Sequence, residues 1–149
     1  MYLDGMEMQM SQLYQLGRRL SEMALREMGA DELGLTPSEF LVLQDLFMNG
    51  QSSISETVHR TGLAQSRVST SVARFVERGW VTTAPDPDDG RKTLAQVTDA
   101  VRRQGNRRRA RVAGDALATA LPSTVTSRER ASLLRALNRL HELLVTNDS

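Results

Sequence analysis

The stretch from Gln65 to Lys92 constrains the fold of this chain more than any other. It begins with QSRVSTSVARFVERG, in which apolar residues recur at helical spacing until Gly79, and it continues through WVTTA into PDPDDGRK. This pattern predicts an amphipathic helix that ends at a glycine, then a strand, then a tight turn. Arg91 and Lys92 would lie at the tip of that turn.

Two helices are predicted before this stretch, each with its own start signal. The TPSE sequence at 36–39 can form a capping box with proline at the first helical position, and Asn-Gly at 49–50 ends that helix. Its expected buried stripe consists of Phe40, Leu43, Leu46 and Phe47. A second capping box, Ser53 with Glu56, would start a short helix over 54–60, which a Thr-Gly turn follows.

The third helix, from about Ala64 to Arg78, has an apolar face and a face of small polar residues. The residues expected to face inward are Val68, Val72, Phe75 and Val76. The residues expected to face outward are Ser66, Ser69, Thr70 and Ala73, with Arg67 and Arg74 along one flank. Two short helices, a glycine turn and a helix of this kind indicate a helix-turn-helix.

A β-hairpin is predicted to follow the third helix. Its strands would be Val81–Ala84 and Thr93–Val97. Asp89 and Gly90 predict a type I′ turn, because both central residues of that turn need positive φ. The Pro-Asp-Pro segment at 85–87 is expected to keep the loop from extending either strand.

Both ends of the chain are predicted to be helical. One helical stripe runs from about Gly5 to Met28. A second segment runs from Thr98 or Asp99 to about Leu121 and is interrupted or weakened at Gly105 and Gly114, and a leucine-rich helix follows Pro122. These helices carry more apolar surface than so small a motif can cover, so a second copy of the chain is expected to cover it. Such a two-fold homodimer would match palindromic double-stranded DNA with half-sites about one helical turn apart.

Charge is distributed unevenly, although the net charge is only +1. Residues 60–111 contain twelve Arg or Lys and five Asp or Glu, whereas the rest contains seven basic and thirteen acidic residues. A basic middle of this kind fits a surface that binds a polyanion, and it equally fits a solvated face without a partner. The arginines at 102–111 have the same two readings, phosphate contact or solvation of a helix.

Several function classes are not expected from this composition. The chain has no cysteine, which excludes disulfides and thiolate metal sites, and its two histidines lie far apart, so neither a metal nor a cofactor is expected. It has no apolar run of the length needed to cross a bilayer and no secretory signal, so a cytoplasmic protein is expected. No nucleophile–base pair or phosphate loop indicates an enzyme.

Side chains in the central stretch have the chemistry to contact DNA. Short Ser and Thr side chains let a helix approach base edges closely, Gln65 could contact adenine, and Arg67 could contact guanine or a phosphate. An arginine at the hairpin tip suits the narrow minor groove, and Asp89 could orient its guanidinium by a charge-assisted hydrogen bond. The alternatives are polar residues that face water and a weak surface ion pair. The candidate DNA-binding residues are Gln65, Ser66, Arg67, Ser69, Thr70, Arg74, Asp89, Arg91 and Lys92.

With these motifs the chain resembles the MarR family of winged helix-turn-helix transcriptional regulators. The resemblance rests on TPSEFLVL, on GLAQSRVSTSVARFVERGWV and on DPDDGRKTLAQVT, and its most specific element is the Asp-x-Arg wing pattern at 89–91. It implies a mainly α fold with a small β-hairpin wing. Residues 36–98 would form the DNA-binding domain, and residues 1–35 and 99–149 a shared helical dimerisation region.

The resemblance also implies roles for single residues. The helix from Gln65 to Arg78 would be the recognition helix in the major groove, and Arg91, braced by Asp89, would enter the minor groove. Many members are repressors that small, often aromatic or anionic, effectors release from DNA. The effector cleft lies between the dimerisation region and the DNA-binding lobe. Candidate pocket residues are Tyr14, Arg19 and Trp80, which core packing or solvent exposure explains equally well.

The chain departs from the family pattern at two positions. Many members carry a second arginine where this chain has Gly90, and many carry glycine where it has Val101. The leading hypothesis is a homodimeric, sequence-specific DNA-binding regulator, a repressor relieved by a small ligand. The alternatives are a non-specific or architectural nucleic-acid-binding protein and a protein-interaction module that has lost DNA binding.

Overall fold

The computed structural model describes residues 7–109 and 112–145. Within these ranges the protein is mostly helical, with one small antiparallel sheet, which confirms the predicted fold class. The chain divides into two compact units, Met1–Ala110 and Arg111–Ser149. The helices are α1 Met10–Glu27, α2 Ala30–Leu33, α3 Pro37–Asn49, α4 Ile54–Thr61, α5 Gln65–Glu77, α6 Asp99–Arg109, α7 Ala113–Ala120 and α8 Ser127–Leu144. The strands are β1 Ser52–Ser53, β2 Val81–Pro85 and β3 Thr93–Val97.

The start of α3 follows its sequence signal closely. Thr36 Oγ1 accepts the amide hydrogen of Glu39 at 3.2 Å, and Glu39 Oε1 accepts that of Thr36 at 3.2 Å, so the capping box is complete. The helix ends before Gly50, whose φ of 70° is strained for any residue with a side chain. At α4 only half of the predicted box forms, because the Glu56 carboxylate accepts from the Ser53 hydroxyl rather than from its amide.

Helix α5 buries three of the four residues predicted to face inward. Val68 and Phe75 are fully buried and Val72 is nearly so. The prediction for Val76 is wrong: its side chain is 40% exposed, because it follows Ser69 by seven residues, two helical turns, and therefore shares the outer face. Ser71 is buried instead, and its hydroxyl donates to the Arg67 carbonyl at 2.8 Å.

The sheet has the strand order β1-β3-β2, and both pairings are antiparallel. Strand β1 was not predicted, because two residues carry too little pattern to be recognised. In the β2–β3 hairpin, called the wing below, Pro85 pairs with Thr93, so the loop consists of residues 86–92. The predicted type I′ turn is wrong, because neither Asp89 nor Gly90 has positive φ.

The core of the first unit joins α3, α5 and the sheet. Its fully or nearly fully buried members include Val42, Leu46, Val68, Phe75 and Val81. Gly105 does not interrupt α6, contrary to the expected weak point. In the second unit, Thr126 caps α8 by accepting the Glu129 amide hydrogen at 3.1 Å.

Candidate nucleic-acid interface

The outer face of α5 presents small polar side chains to solvent. Gln65, Ser66, Ser69 and Thr70, four of the predicted DNA-binding residues, are all exposed on it. The inner face is anchored by the buried Val68 and Phe75, so packing fixes which face points outward. Short side chains on a rigidly anchored helix allow its backbone to approach a flat or grooved surface closely.

The two arginines on the flank of α5 contact the first turn of α3. Arg67 Nη1 donates to Ser38 Oγ at 3.1 Å, and the Arg74 guanidinium forms an ion pair with the Glu39 carboxylate. Arg67 is exposed, whereas the Arg74 side chain is 42% exposed and its partner Glu39 only 12%. Both arginines therefore have partners within the protein, which the sequence did not indicate.

Glu39 lies in an environment that favours its charged form. Burial raises the pKa of the carboxyl group, but hydrogen bonds from Thr36 and the charge of Arg74 outweigh that effect and lower the pKa below its usual value. A second ion pair nearby joins α4 to α3, since Arg60 donates to both carboxylate oxygens of Asp45. The hydrogen bonds from Arg60 to Asp45 raise the pKa of Arg60.

The wing tip, residues 86–92, is held by backbone hydrogen bonds. Asp86 N donates to the Lys92 carbonyl and Lys92 N to the Asp89 carbonyl, each at 2.9 Å. Asp89 Oδ1 accepts the amide hydrogen of Arg91 at 3.1 Å, so the expected brace acts on the backbone and not on the guanidinium. Arg91 and Lys92 are exposed, and within the described residues neither forms an ion pair.

The arginines of α6 have different surroundings. Arg108 donates to the Met28 carbonyl at 3.2 Å and to Glu32 Oε2 at 2.7 Å, and Arg102 lies over the Phe47 ring at 5.8 Å. Arg103 and Arg107 are exposed. The side chain of Arg109 and all of Arg111 lie outside the described residues.

A cavity of about 260 Å³ lies within the first unit, beneath α6. Its lining is mainly apolar, with two glutamines and one arginine: Met28, Leu33, Phe40, Leu43, Gln44, Phe47, Met48, Trp80, Val101, Gln104, Gly105 and Arg108. Among the three pocket candidates from the sequence, Trp80 lines this cavity, whereas Tyr14 and Arg19 are exposed on α1.

Trp80 links the cavity to the end of α5. Its ring stacks on Phe75 with the centroids 5.9 Å apart, and the Arg78 guanidinium lies 4.8 Å from its centroid. The backbone carbonyl of Trp80 also accepts the amide hydrogen of Thr98, at 2.9 Å. A molecule in the cavity would therefore touch a side chain that packs on the core of the helix-turn-helix.

In the described ranges no group of three or more acidic or histidine side chains is placed to hold a metal ion. No helix in the same ranges is long and apolar enough to cross a bilayer.

The segment that holds the helix-turn-helix is similar in sequence to a known family. Residues 33–92 match the model described as MarR family. Over 68 residues the chain is 38% identical to the HTH-type transcriptional repressor IacR of Pseudomonas putida, which covers 46% of this chain and 41% of that protein. The chain therefore spans less than half the length of this curated relative.

Solved structures share the fold over most of the chain. A MarR mutant from E. coli gives a TM-score of 0.69 at 21% identity, over 90% of this chain and 97% of that chain. The same mutant complexed with operator DNA gives a TM-score of 0.60 at 20% identity, over 86% of this chain and 89% of that chain. BpsR of Bordetella bronchiseptica, whose DNA binding is regulated by 6-hydroxynicotinic acid, gives 0.58 at 20% identity, over 95% and 96%. The matched segment, which contains the capped α3, the helix α5, strand β2 and the wing tip, is similar in sequence to the MarR family, and the fold of the solved MarR structures extends over most of the chain.

Proposed function

We propose that this protein is a homodimeric, sequence-specific DNA-binding regulator, a repressor that a small ligand releases from its operator. One observation carries the proposal: the exposed polar face of α5 lies in the same unit as a wing tip on which Arg91 is exposed and forms no ion pair with any described residue. The relative IacR is a repressor, and the MarR mutant is complexed with operator DNA, which supports the same activity here.

In this proposal α5 enters the major groove and the wing tip the adjacent minor groove. Ser66, Ser69 and Thr70 contact base edges or phosphates, and Gln65 at the start of the helix reads adenine. Arg91 enters the minor groove, where the negative potential is strongest, and Lys92 adds a phosphate contact. Residues 36–98 act as the DNA-binding domain.

The dimer is proposed from apolar surface that each unit exposes by itself. On α1, Met10, Leu13 and Leu16 are 79%, 51% and 42% exposed. On α8, Leu140 and Leu144 are 52% and 69% exposed. Apolar side chains that recur along two helices at this exposure mark an interaction surface, and a second copy of the chain is the occupant that a palindromic operator requires. Residues 1–35 and 99–149 supply this surface.

The cavity beneath α6 is the proposed effector site. Its apolar walls and the ring of Trp80 suit a flat aromatic molecule, and Gln44, Gln104 and Arg108 offer hydrogen bonds to a polar or anionic group. BpsR, which has the same fold, is regulated by an aromatic acid, which supports this ligand class. A ligand here would act on α5 through the Trp80–Phe75 contact.

Fluorescence anisotropy with the protein's own promoter DNA tests the proposal. A palindromic fragment should bind at least about a thousandfold more tightly than random DNA at the same salt concentration. Arg91→Ala should bind the palindrome at least about tenfold more weakly, whereas Arg128→Ala, which removes an exposed arginine from α8, should not. Equal affinity of wild type and Arg91→Ala for the palindrome would refute the role of the wing. A ratio of palindrome affinity to random-DNA affinity near one would favour an architectural nucleic-acid-binding protein.

A further inference from the structure

Glu39, in the first turn of α3, forms an ion pair with an arginine of α5, the proposed recognition helix. Arg74 lies on the flank of α5, next to the face that we propose enters the groove, and its guanidinium pairs with Glu39 across 35 residues of sequence. Arg74 remains 42% exposed, so solvent or a phosphate could reach its guanidinium if Glu39 did not hold it.

Glu39 uses its two carboxylate oxygens for two different partners. Oε1 accepts the amide hydrogen of Thr36 and completes the capping box of α3, whereas Oε2 pairs with Arg74. The cap orients the carboxylate from one side, and the pair connects that fixed carboxylate to α5. Because Glu39 is only 12% exposed, its charge is poorly screened by solvent and stays available to Arg74.

We propose that Glu39 is a specificity-determining residue, which holds Arg74 against α3 and so keeps this cation off the DNA backbone. The inference rests on the proposed function. Each phosphate contact from an arginine adds affinity for any DNA sequence, because it releases condensed counterions. A recognition helix that withholds one such contact depends more on its base-reading face, and the difference between operator and random DNA grows.

Glu39→Gln is the variant that separates the charge from the cap. The glutamine side chain keeps an oxygen that can accept from Thr36 N but loses the negative charge that retains Arg74. We expect affinity for random DNA to rise roughly threefold to tenfold and the plot of log K against log salt to steepen by about 0.9 per protomer. The ratio of operator to random affinity should fall by a similar factor.

Two further variants make the result decisive. In Glu39→Gln/Arg74→Gln the released cation is absent, so random-DNA affinity and salt slope should return to the wild-type values or below. Thr36→Ala removes the hydroxyl that caps α3 and leaves both Glu39 and Arg74, so it reports the effect of a weakened helix start alone.

The outcomes separate this inference from the proposed function. If Glu39→Gln weakens operator and random DNA alike and resembles Thr36→Ala, Glu39 has only a structural role and the inference is wrong. If the wild-type protein itself does not distinguish operator from random DNA, the proposed function is wrong. In that case, comparing the salt dependence of random-DNA binding for wild type and Glu39→Gln still shows whether Glu39 keeps Arg74 off the DNA backbone.

Discussion

Asp89 contacts Arg91 through the backbone: Oδ1 of the aspartate accepts the arginine amide hydrogen at 3.1 Å. The Asp89 carbonyl accepts the next amide hydrogen along, that of Lys92, at 2.9 Å. Asp89 therefore fixes the backbone conformation of the wing tip through both of these hydrogen bonds. Among the described residues the Arg91 guanidinium has no partner, so its donors are available to a ligand, whereas an ion pair with Asp89 would have occupied some of them.

Two substitutions at Asp89 distinguish a backbone brace from a charge brace. Asp89→Asn keeps an oxygen that accepts the Arg91 amide hydrogen, so operator affinity should stay within about twofold of the wild type. Asp89→Ala removes the acceptor and loosens the tip, and affinity should fall by about threefold to tenfold, corresponding to one hydrogen bond. Anisotropy titrations at one salt concentration give both values. If Asp89→Asn is as weak as Asp89→Ala, the charge of the aspartate is what matters.

Gly90 offers a position at which the wing tip can gain a charge. Its φ is not positive, and apart from its two chain neighbours no described residue would have a heavy atom within 4 Å of a Cβ there, so an L side chain fits without strain. Gly90→Arg should tighten DNA binding and steepen the salt dependence by about 0.9 in log–log slope for each new phosphate contact. Gly90→Ala is the matched control and should leave the slope unchanged. An unchanged slope in Gly90→Arg would show that position 90 does not reach the DNA.

Local signals in the sequence predicted the parts of this fold that depend on neighbouring residues. The TPSE motif predicted the start of α3, because Thr36, Pro37 and Glu39 act on one helical turn. The strand Thr93–Val97 was predicted with its observed bounds. The same kind of signal failed at Val76. Its apolar side chain predicted burial, but its angular position on the helix, close to that of Ser69, places it on the outer face.

Contacts between distant residues could not be predicted in this way. The turn at Asp89 and Gly90 depends on loop length, which the pairing of Pro85 with Thr93 sets. The Arg74–Glu39 pair forms only because α5 packs across α3, and nothing in either segment alone indicates it. The DNA-binding roles of the α5 and wing residues remain predictions, which the variants above test.

Acid should weaken the junction of α3 and α5. The pKa of Glu39 lies below its usual value of 4.5 in the folded protein, so the folded state favours the carboxylate. The stabilisation is complete above the unfolded pKa and is lost as the pH falls through the folded pKa. Urea denaturation from pH 7 down to about pH 3 should show Glu39→Gln less stable than the wild type at neutral pH, with the difference shrinking in acid. If the stability difference between wild type and Glu39→Gln does not change with pH, the charge of Glu39 does not stabilise the junction of α3 and α5.

Gly105 lets α6 lie against the aromatic wall of the cavity. A Cβ at this position would overlap Cε2 of Phe47, inside the distance that two non-bonded carbon atoms can reach, so Phe47 or the helix would have to move. Gly105→Ala should therefore destabilise the protein by about 1–3 kcal/mol, although alanine in an unobstructed helix position would stabilise it by about 1 kcal/mol.

Asn106→Ala is the matched control for Gly105→Ala, since Asn106 is exposed on the same helix and reports helix propensity alone. It should stabilise the protein by about 0.5 kcal/mol. Urea denaturation shows whether each variant raises or lowers the free energy of unfolding. Fluorescence of Trp80, the single tryptophan of the chain, reports whether the cavity wall has moved. If both variants are stabilised and the Trp80 emission is unchanged, α6 does not pack on Phe47 and the cavity is not closed on that side.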